Sequence, residues 1–356
     1  MEKKTVRFGI IGYGFMGHIH ARSLKKLDYA EVAAVCDNNE KQLYDIPEGA
    51  KVYTQMEDLI ADPGVDAVIV SVPNNIHLET VSKAAKAGKD ILCEKPAALS
   101  VREFDQMMEV VKAYGVKFTV HQQRRWDSDF RTAKKVYDDG GLGDVYTVQT
   151  KLYGFNGNMH DWHIYPEFGG GMLYDWGVHL LDQMVWMVNS PIVSVFADVR
   201  NVINKEVDDY FKIILHFENG VTGEVELGTY FLSDKETWFE RHWFIGGNRG
   251  SMYADGFHPK GKIVRTTRLL TNVPGEITMT AGGPTRSFGP PEPGVITLEE
   301  LPEVNTEQIM YFDNFIKGLW GEEEFIVKPE EVRRILALME KVRESARTKQ
   351  SVSFKD

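Results

Sequence analysis

A glycine-rich turn near the start of the chain constrains its fold more than any other feature. Residues 5–11 form an apolar, strand-like run, and the turn leads from it into a helical pattern over residues 18–27. In such a turn the first glycine allows a tight bend, the second lets the backbone approach a diphosphate, and the third permits close helix–strand packing. The helix N-terminus adds free N–H groups and a partial positive charge. The pattern predicts a dinucleotide site, with contacts from Gly12, Tyr13, Gly14, Phe15, Met16 and Gly17.

An acidic residue follows the second apolar run at the distance that such a site requires. Asp37 lies 20 residues after Gly17, at the end of the run Val32–Cys36. Its carboxylate can accept hydrogen bonds from the adenosine ribose hydroxyls and would repel a 2′-phosphate. Asn38 and the next asparagine supply no cation for such a phosphate. We therefore expect NAD rather than NADP, with Asp37 and Asn38 at the ribose.

Strand and helix patterns alternate through the first third of the chain. A capping box at Ser100 and Glu103 opens one helix, and we expect Glu103 to reach back to the Ser100 amide. Such alternation predicts right-handed crossovers and a doubly wound, parallel Rossmann sheet over residues 1–124, within an α/β fold class. Beyond the first two strands, the patterns cover residues 67–72, 77–87, 91–93, 100–115 and 117–120.

The second part of the chain has a different pattern. At 356 residues the chain is too long for one small core, and strand-like runs dominate after about residue 125. Asn219-Gly220 between two of these runs predicts a hairpin with a type I′ turn. We predict an α+β domain over residues 125–356, built on a large, mainly antiparallel open sheet. Within it, residues 256–303 are rich in Gly and Pro and are predicted to form an extended arm, and residues 329–347 a C-terminal helix.

Charge and composition exclude several classes of partner. The net charge of −11 comes without a strong basic patch, so binding to a nucleic-acid backbone is not expected. The sequence contains no stretch of 18 or more apolar residues, so no membrane span is predicted. The two cysteines show no spacing typical of a metal site or a disulfide framework. We expect no metal, no membrane partner and a reduced, cytoplasmic setting.

Several short motifs together resemble one family. Glu94-Lys95-Pro96 follows the strand over residues 91–93, and residues 73–77 read Pro-Asn-Asn-Ile-His. Gln123-Arg124-Arg125 follows the sixth predicted strand, and a glycine triplet at residues 169–171 precedes Asp175 and His179. With the glycine turn, these motifs resemble the glucose–fructose oxidoreductase / inositol dehydrogenase / rhizopine catabolism (Gfo/Idh/MocA) family over most of the chain.

The resemblance implies a site between the two domains. In this family the lysine of the Glu-Lys-Pro motif, here Lys95, contacts the nicotinamide ribose and the substrate hydroxyl. Asp175 and His179 match the acidic and histidine positions of a second-domain helix. The family's open sheet often forms oligomer interfaces, so a homodimer or homotetramer is expected. The remaining cofactor contacts that we carry over are Pro73, Asn74, His77, Glu94, Lys95 and Gln123.

These residues suggest a mechanism for oxidising a secondary alcohol, which needs a base for the proton and an acceptor for the hydride. Asp175 and His179 are four residues apart, which aligns them on one face of a helix, with Asp182 a further turn along. We expect His179 to take the hydroxyl proton and Asp175 to orient His179 or bind a neighbouring hydroxyl. Lys95 would stabilise the alkoxide or join the proton relay.

Four residues are further candidate substrate contacts. Trp162 and His163 lie just before the glycine triplet, in a segment that the family uses near its substrate. An aromatic face beside polar groups suits a pyranose, whose C–H face stacks while its hydroxyls form hydrogen bonds. Tyr153 and Arg124 are the other two candidates. The expected substrate is a sugar, glycoside or cyclitol, with a sugar or glycoside oxidised at C3 to a 3-keto product favoured.

Three other functions fit the same motifs. The chain can be an inositol dehydrogenase. It can also cleave glycosides in a redox-neutral cycle, where retained NAD oxidises C3 and the acidified neighbouring C–H permits elimination of the aglycone. A non-catalytic NAD-binding sensor or regulatory subunit would be indicated by loss of Lys95, Asp175 or His179, and the sequence keeps all three.

Overall fold

Three sheets and eight α-helices lie in the part of the chain that the computed structural model describes, which is residues 5–154, 159–229, 239–271, 275–285 and 289–355. The helices are α1 Phe15–Leu24, α2 Met56–Ala61, α3 His77–Lys86, α4 Val101–Tyr114, α5 Ser128–Asp138, α6 Val178–Val188, α7 Ile309–Trp320 and α8 Pro329–Thr348. The strands are β1 Val6–Ile11, β2 Ala30–Cys36, β3 Lys51–Tyr53, β4 Ala67–Val70, β5 Asp90–Cys93, β6 Phe118–Val120, β7 Val145–Gly154, β8 Ile192–Arg200, β9 Tyr210–Phe217, β10 Thr222–Gly228, β11 Phe239–Gly247, β12 Gly250–Asp255, β13 Lys260–Thr266, β14 Met279–Thr280, β15 Gly283–Pro284, β16 Ile296–Glu300 and β17 Val352–Ser353.

The first sheet is parallel throughout, in the order β3-β2-β1-β4-β5-β6. This confirms the predicted doubly wound sheet. Its central strands are apolar because helices cover both faces. The strand order reverses between β1 and β4, and ligands of open α/β sheets bind outside the carboxyl ends of the strands at such a point. The glycine turn follows β1 at this reversal.

Local signals in the first domain are largely confirmed, with two differences. Ser100 Oγ caps α4 by accepting a hydrogen bond from the Glu103 amide at 3.2 Å. The Glu103 carboxylate accepts from the Leu99 amide at 2.9 Å, so the expectation that it reaches Ser100 is wrong by one residue. Strand β3 and helix α2 are not predicted from the sequence, because their three and six residues are too few to show a clear hydrophobic period.

The second sheet has nine strands in the order β16-β13-β12-β11-β7-β10-β9-β8-β17. Its described pairs are antiparallel except for β7 and β10, which confirms the mainly antiparallel prediction. The hairpin between β9 and β10 is present, but the type I′ turn is wrong. Of Asn219 and Gly220, Gly220 alone has a positive φ, of 87°, and its amide donates to the Phe217 carbonyl. The loop therefore has three residues with a left-handed glycine at its end.

The predicted arm over residues 256–303 is wrong at both ends. Strand β13 pairs with both β12 and β16, and β16 forms an edge of the nine-stranded sheet. Alternation around the buried Ile263 makes β13 a strand, since a period of two buries one face of a sheet. Pro290, Pro291 and Pro293 lie between the two strands, where no ladder hydrogen bond is required of them.

The C-terminal helices bring the chain back to the first sheet. On α7, Phe315 packs against Phe8 of β1 with ring centroids 6.1 Å apart, and Tyr311 donates to the Val120 carbonyl at 2.8 Å. Helix α8 begins at Pro329, as predicted, and packs against β8 and α6. Its buried face holds Val332, Ile335, Leu336, Met339 and Val342. None of the helices in the described ranges is long and apolar enough to cross a membrane.

Candidate active site

The glycine turn has the geometry of a diphosphate cradle. Gly12 has a φ of 89°, and a Cβ there would lie 2.4 Å from the Ser71 carbonyl oxygen. A Cβ on Gly17 would lie 2.4 Å from the Gly12 carbonyl oxygen, which is the close helix–strand contact that the motif predicts. A Cβ on Gly14 would meet no described atom within 4 Å. Gly14 therefore faces open space at the N-terminus of α1, and the turn fits a bound dinucleotide.

A pair of glycine substitutions tests this cradle. We expect Gly12→Ala to lower the free energy of unfolding by about 1–3 kcal/mol, because alanine would be held at a strained φ against backbone. Gly14→Ala should leave that free energy within about 0.5 kcal/mol of the wild type, because its methyl group has room. It should still weaken NAD binding, since the methyl group occupies the side from which the diphosphate approaches. Denaturant unfolding and calorimetric NAD titration measure both effects, and equal stability of Gly12→Ala and wild type would contradict the close approach.

Asp37 lies at the turn, as its spacing predicts. Its carboxylate accepts hydrogen bonds from the Tyr13 and Asn39 amides, each at 2.8 Å. The Tyr13 side chain is fully buried and donates to the Asp45 carbonyl, so it belongs to the core and not to the cofactor face. The prediction of a Tyr13 cofactor contact rests on sequence adjacency alone. The neighbours that are partly or fully exposed beside the turn are Phe15, Met16 and Asn38.

His77 supports the site from inside the protein. Its Nδ1 lies 3.0 Å from the Pro96 carbonyl oxygen and its Nε2 lies 2.9 Å from the Val72 carbonyl oxygen. Burial lowers the pKa of this imidazole. The ring is buried between two backbone segments, and its expected contact with the cofactor stays a prediction. It ties the loop that carries the exposed Pro73 to the cis Lys95–Pro96 bond.

Glu94 also lies beneath the site. One carboxylate oxygen, Oε1, accepts hydrogen bonds from His20 Nε2 at 2.7 Å and His121 Nδ1 at 2.8 Å. The other accepts from the Lys95 amide at 3.0 Å. Burial opposes ionisation of Glu94, but the imidazoles of His121 and His20 hold its pKa well below the usual value. Glu94 thus anchors the backbone of Lys95 and is not placed as a direct cofactor contact.

His20, Glu94 and His121 bring three possible metal-ligand atoms within 4.8 Å of one another. Their N···O separations are those of hydrogen bonds, however. A metal-binding histidine almost always donates its other ring N–H to an acceptor. Here His20 Nδ1 and His121 Nε2 are buried without a partner among the described residues, and Phe312 packs against both rings. We interpret the cluster as a hydrogen-bonded carboxylate. Sequence reasoning missed both histidines, which have no spacing signal.

Lys95 and Asp175 form the centre of the site. Lys95 Nζ donates to the Asp175 carboxylate at 2.7 Å and to the Asp175 carbonyl at 2.8 Å. Burial would raise the pKa of Asp175, but the Lys95 ammonium outweighs it and the pKa is lowered. His163 Nε2 lies 3.9 Å from the other Asp175 oxygen, and Trp162 stacks on His163 with ring centroids 3.8 Å apart. The structure therefore brings four of the expected residues together.

The glycine triplet explains how the Trp162–His163 segment reaches Asp175. The Gly171 amide donates to the His163 carbonyl at 3.0 Å, and a Cβ on Gly170 would lie 2.4 Å from the same oxygen. At the first glycine of the triplet, the side-chain amide of the buried Asn74 donates to the Gly169 carbonyl at 3.4 Å. Side chains at these glycines would push the segment away. The triplet thus holds an expected substrate segment against the loop after β4.

His179 is buried close to this pair, but a different residue orients it. Its Nδ1 lies 2.8 Å from Gln122 Oε1, so the expectation that Asp175 orients the ring is wrong. A π-helical turn over Leu173–Gly177 precedes α6 and disturbs the four-residue alignment of a regular α-helix. Burial, followed by the charges of Lys95 and a nearby arginine, lowers the pKa of His179 well below the usual value. The imidazole is therefore neutral at pH 7.

Asp182 has a structural role instead of extending the catalytic face. Its carboxylate forms a bidentate ion pair with Arg125, with N···O distances of 2.6 and 2.7 Å. Both side chains are buried. Arg125 also donates to Glu331 of α8 and to the Ile326 carbonyl, each at 2.9 Å. The group ties α6, α8 and the segment after β6 together.

The two residues before Arg125 remain candidate contacts. The Arg124 side chain is half-buried. Its guanidinium lies 4.0 Å above the Trp176 ring and donates to Asp127 at 3.0 Å. Gln123 Oε1 is buried and has no hydrogen-bond partner among the described residues. An unpaired buried acceptor costs free energy, so a donor from a bound ligand would stabilise it. This acceptor is a second feature, besides the cradle, that fits a bound cofactor.

Tyr153 lies on β7, beside Glu226 of the paired strand β10. Its hydroxyl donates to Glu226 at 2.7 Å, and Tyr210 donates to the other oxygen of Glu226 at 2.9 Å. Burial and Glu226 raise the pKa of Tyr153. Its neighbour Leu152 packs in the core, so alternation directs Tyr153 to the opposite, open face of the sheet. Its contact with a substrate stays a prediction.

Two family models match most of the chain. The NAD-binding Rossmann-fold model of the Gfo/Idh/MocA oxidoreductase family matches residues 6–122, and the model of that family's C-terminal domain matches residues 130–253. The chain belongs to the Gfo/Idh/MocA family. This confirms the resemblance that the motifs indicated, the NAD-binding Rossmann domain and the oxidoreductase class, while the preference for NAD over NADP stays a prediction.

Individual relatives agree with this assignment. The solved structure of an NAD-binding protein from Listeria innocua is 33% identical with a TM-score of 0.90, covering 99% of this chain and 100% of that one. An uncharacterised oxidoreductase of Schizosaccharomyces pombe is 36% identical over 216 residues, which are 59% of this chain and 58% of that protein. The myo-inositol 2-dehydrogenase of Thermotoga maritima is 29% identical over 279 residues, which are 76% of this chain and 80% of that protein.

Proposed function

We propose that this protein oxidises a ring secondary alcohol of a sugar, glycoside or cyclitol, with NAD as the hydride acceptor. The observation that carries the proposal is the Lys95–Asp175 ion pair together with the buried His179 that Gln122 holds from the end of β6. Lys95 follows β5, the Gln122 that contacts His179 follows β6, and the cofactor cradle follows β1, at the same edge of the parallel sheet. This arrangement supports a proton acceptor and a cation at the end of the sheet where the dinucleotide is expected to bind.

Bound NAD supplies the hydride acceptor, and the chain supplies proton transfer and charge. His179 is uncharged at neutral pH, so its imidazole can take the proton of the substrate hydroxyl. Asp175 holds Lys95 by two hydrogen bonds, and the ammonium stabilises the negative charge that develops on the substrate oxygen. In this scheme Asp175 acts by placing Lys95 and by accepting a hydrogen bond from a neighbouring hydroxyl.

The stacked Trp162 and His163 rings support a ring-shaped substrate. Both side chains are half-buried, and His163 lies within 3.9 Å of Asp175. Burial lowers the pKa of His163, so its neutral ring can form hydrogen bonds with hydroxyl groups. We favour a sugar or glycoside oxidised at C3, for which an aromatic face and a cluster of polar groups are suited. The name of the Thermotoga relative supports a cyclitol as the second candidate.

A product assay tests the proposal. Purified protein with NAD⁺ is incubated with a panel of inositols, aldoses and glycosides, while NADH is followed by absorbance and products by mass spectrometry. NADH with a product lighter by H₂ is the expected result and names the substrate. Release of an aglycone without net NADH would replace the dehydrogenase by the redox-neutral cycle. Tight NAD binding without any product would contradict the proposal and support a sensor.

The open face of the second sheet supports the oligomer that the resemblance implies. Phe196, Tyr253 and Leu298 lie on this face with 38, 45 and 69% of their surface exposed. Exposed apolar side chains on one sheet face are typical of an association surface. We expect a homodimer or homotetramer in sedimentation experiments, and Tyr253→Lys should shift it towards monomer. A monomeric wild-type protein at micromolar concentration would contradict this prediction.

A further inference from the structure

The segment that follows β6 contacts His179 through Gln122. The Gln122 side-chain oxygen lies 2.8 Å from His179 Nδ1, and the two residues are 1% and 3% exposed. An amide oxygen can only accept a hydrogen bond, so Nδ1 must carry the proton. We propose that Gln122 is a positioning residue that fixes His179 in the Nδ1–H tautomer and leaves Nε2 as the nitrogen that takes the substrate proton. This inference rests on the proposed role of His179 as the base.

The charges around His179 explain why an amide suits this position. Lys95 and Arg124 disfavour the imidazolium, as does His121 from the end of β6, whereas Glu94 favours it. The cationic groups and burial prevail, which keeps the ring neutral. A carboxylate in place of Gln122 would accept the same hydrogen bond but would also favour the imidazolium. The amide therefore orients the ring without charging it.

Gln122 and the preceding His121 support different groups of the site. His121 binds the Glu94 carboxylate, whose other oxygen holds the Lys95 amide. The next residue, Gln122, binds His179. Two consecutive side chains thus position both groups that the reaction requires. Because Gln122 orients His179, Asp175 is available to pair with Lys95.

Long-range ¹⁵N–¹H spectra of histidine-labelled protein test the inference without any need for turnover. His179→Asn identifies the His179 resonances by their disappearance. In the wild-type protein at pH 7 we expect a protonated Nδ1 and an unprotonated Nε2. Gln122→Leu, which is similar in size but cannot accept a hydrogen bond, should give mixed tautomers and lower kcat about tenfold, the loss of one hydrogen bond. NAD binding should stay within twofold.

Gln122→Glu is the matched variant that keeps the acceptor and adds a charge. We expect it to retain the Nδ1–H tautomer and to raise the pKa of His179 by about one unit or more. Because the base must be deprotonated, the acidic limb of kcat/KM should move to higher pH by the same amount.

Three results would overturn the inference. They are an Nε2–H tautomer in the wild-type protein, an unchanged tautomer in Gln122→Leu, and an unchanged His179 pKa in Gln122→Glu. The wild-type spectrum decides the tautomer even if a variant fails to fold. A protein with the expected tautomers but no activity on any alcohol would instead overturn the proposed function.

Discussion

Replacing Lys95 with methionine is expected to lower kcat by about 10³-fold while the dissociation constant of NAD stays within about threefold of the wild-type value. Methionine keeps an unbranched side chain but removes the cation that Asp175 holds beside the site. The developing negative charge on the substrate oxygen then has no ammonium to stabilise it. The Lys95 amide still donates to Glu94, because that bond involves the backbone and not the side chain.

Stopped-flow or steady-state kinetics measure kcat, and calorimetry measures NAD binding. Lys86→Met, on the exposed side of α3, is the matched control and should leave both quantities unchanged. Lys95→Arg should recover part of the activity, because it restores the charge with a different geometry. Wild-type turnover in Lys95→Met would remove Lys95 from the mechanism. A large loss of NAD affinity with unchanged kcat would make it a cofactor-binding residue only.

The glycine turn and Asp37 were predictable because their signals are local. The spacing of Gly12, Gly14 and Gly17 is set by one turn between one strand and one helix. Asp37 ends the next strand of the same sheet, so its position relative to the turn follows from a single crossover. The relative positions of these residues follow from their short separation along the chain, and the structure places them as the sequence predicts.

The proton-transfer side was less predictable because its contacts are tertiary. Gln122 and His179 are 57 residues apart and meet only when the end of β6 packs against α6. No period in either segment indicates that contact. The π-helical turn before α6 is also not visible in the sequence, and it is the reason that a four-residue spacing misassigned the partner of Asp175.

Tyr153 and residues 256–303 show how much a short alternating run can predict. Alternation along β7 already directs Leu152 and Tyr153 to opposite faces, so the side of the sheet could have been assigned from the sequence. In the Gly/Pro-rich stretch the composition predicts an arm, whereas the short alternating run around Ile263 forms part of β13. Hydrophobic periodicity over five to seven residues was the better guide in both places.

The largest expected effect on stability comes from the buried ion pair of α6. We expect Asp182→Ala to lower the free energy of unfolding by about 3–5 kcal/mol, because it leaves the buried Arg125 guanidinium without its bidentate partner. Glu331 is half-buried and contacts a different nitrogen of Arg125, so it cannot replace Asp182. Denaturant unfolding measures the change.

Two controls separate the loss of a partner from the loss of a favourable pair. Asp138→Ala removes the partner of Lys134 in an exposed pair on α5 and should cost less than about 0.5 kcal/mol. The double variant Arg125→Met/Asp182→Leu removes both buried charges and should be more stable than Asp182→Ala, because no charge remains buried without a partner. A cost below about 1 kcal/mol for Asp182→Ala would show that water or Glu331 compensates Arg125. Asp182 would then be a candidate active-site residue, because it lies one turn after His179 on α6.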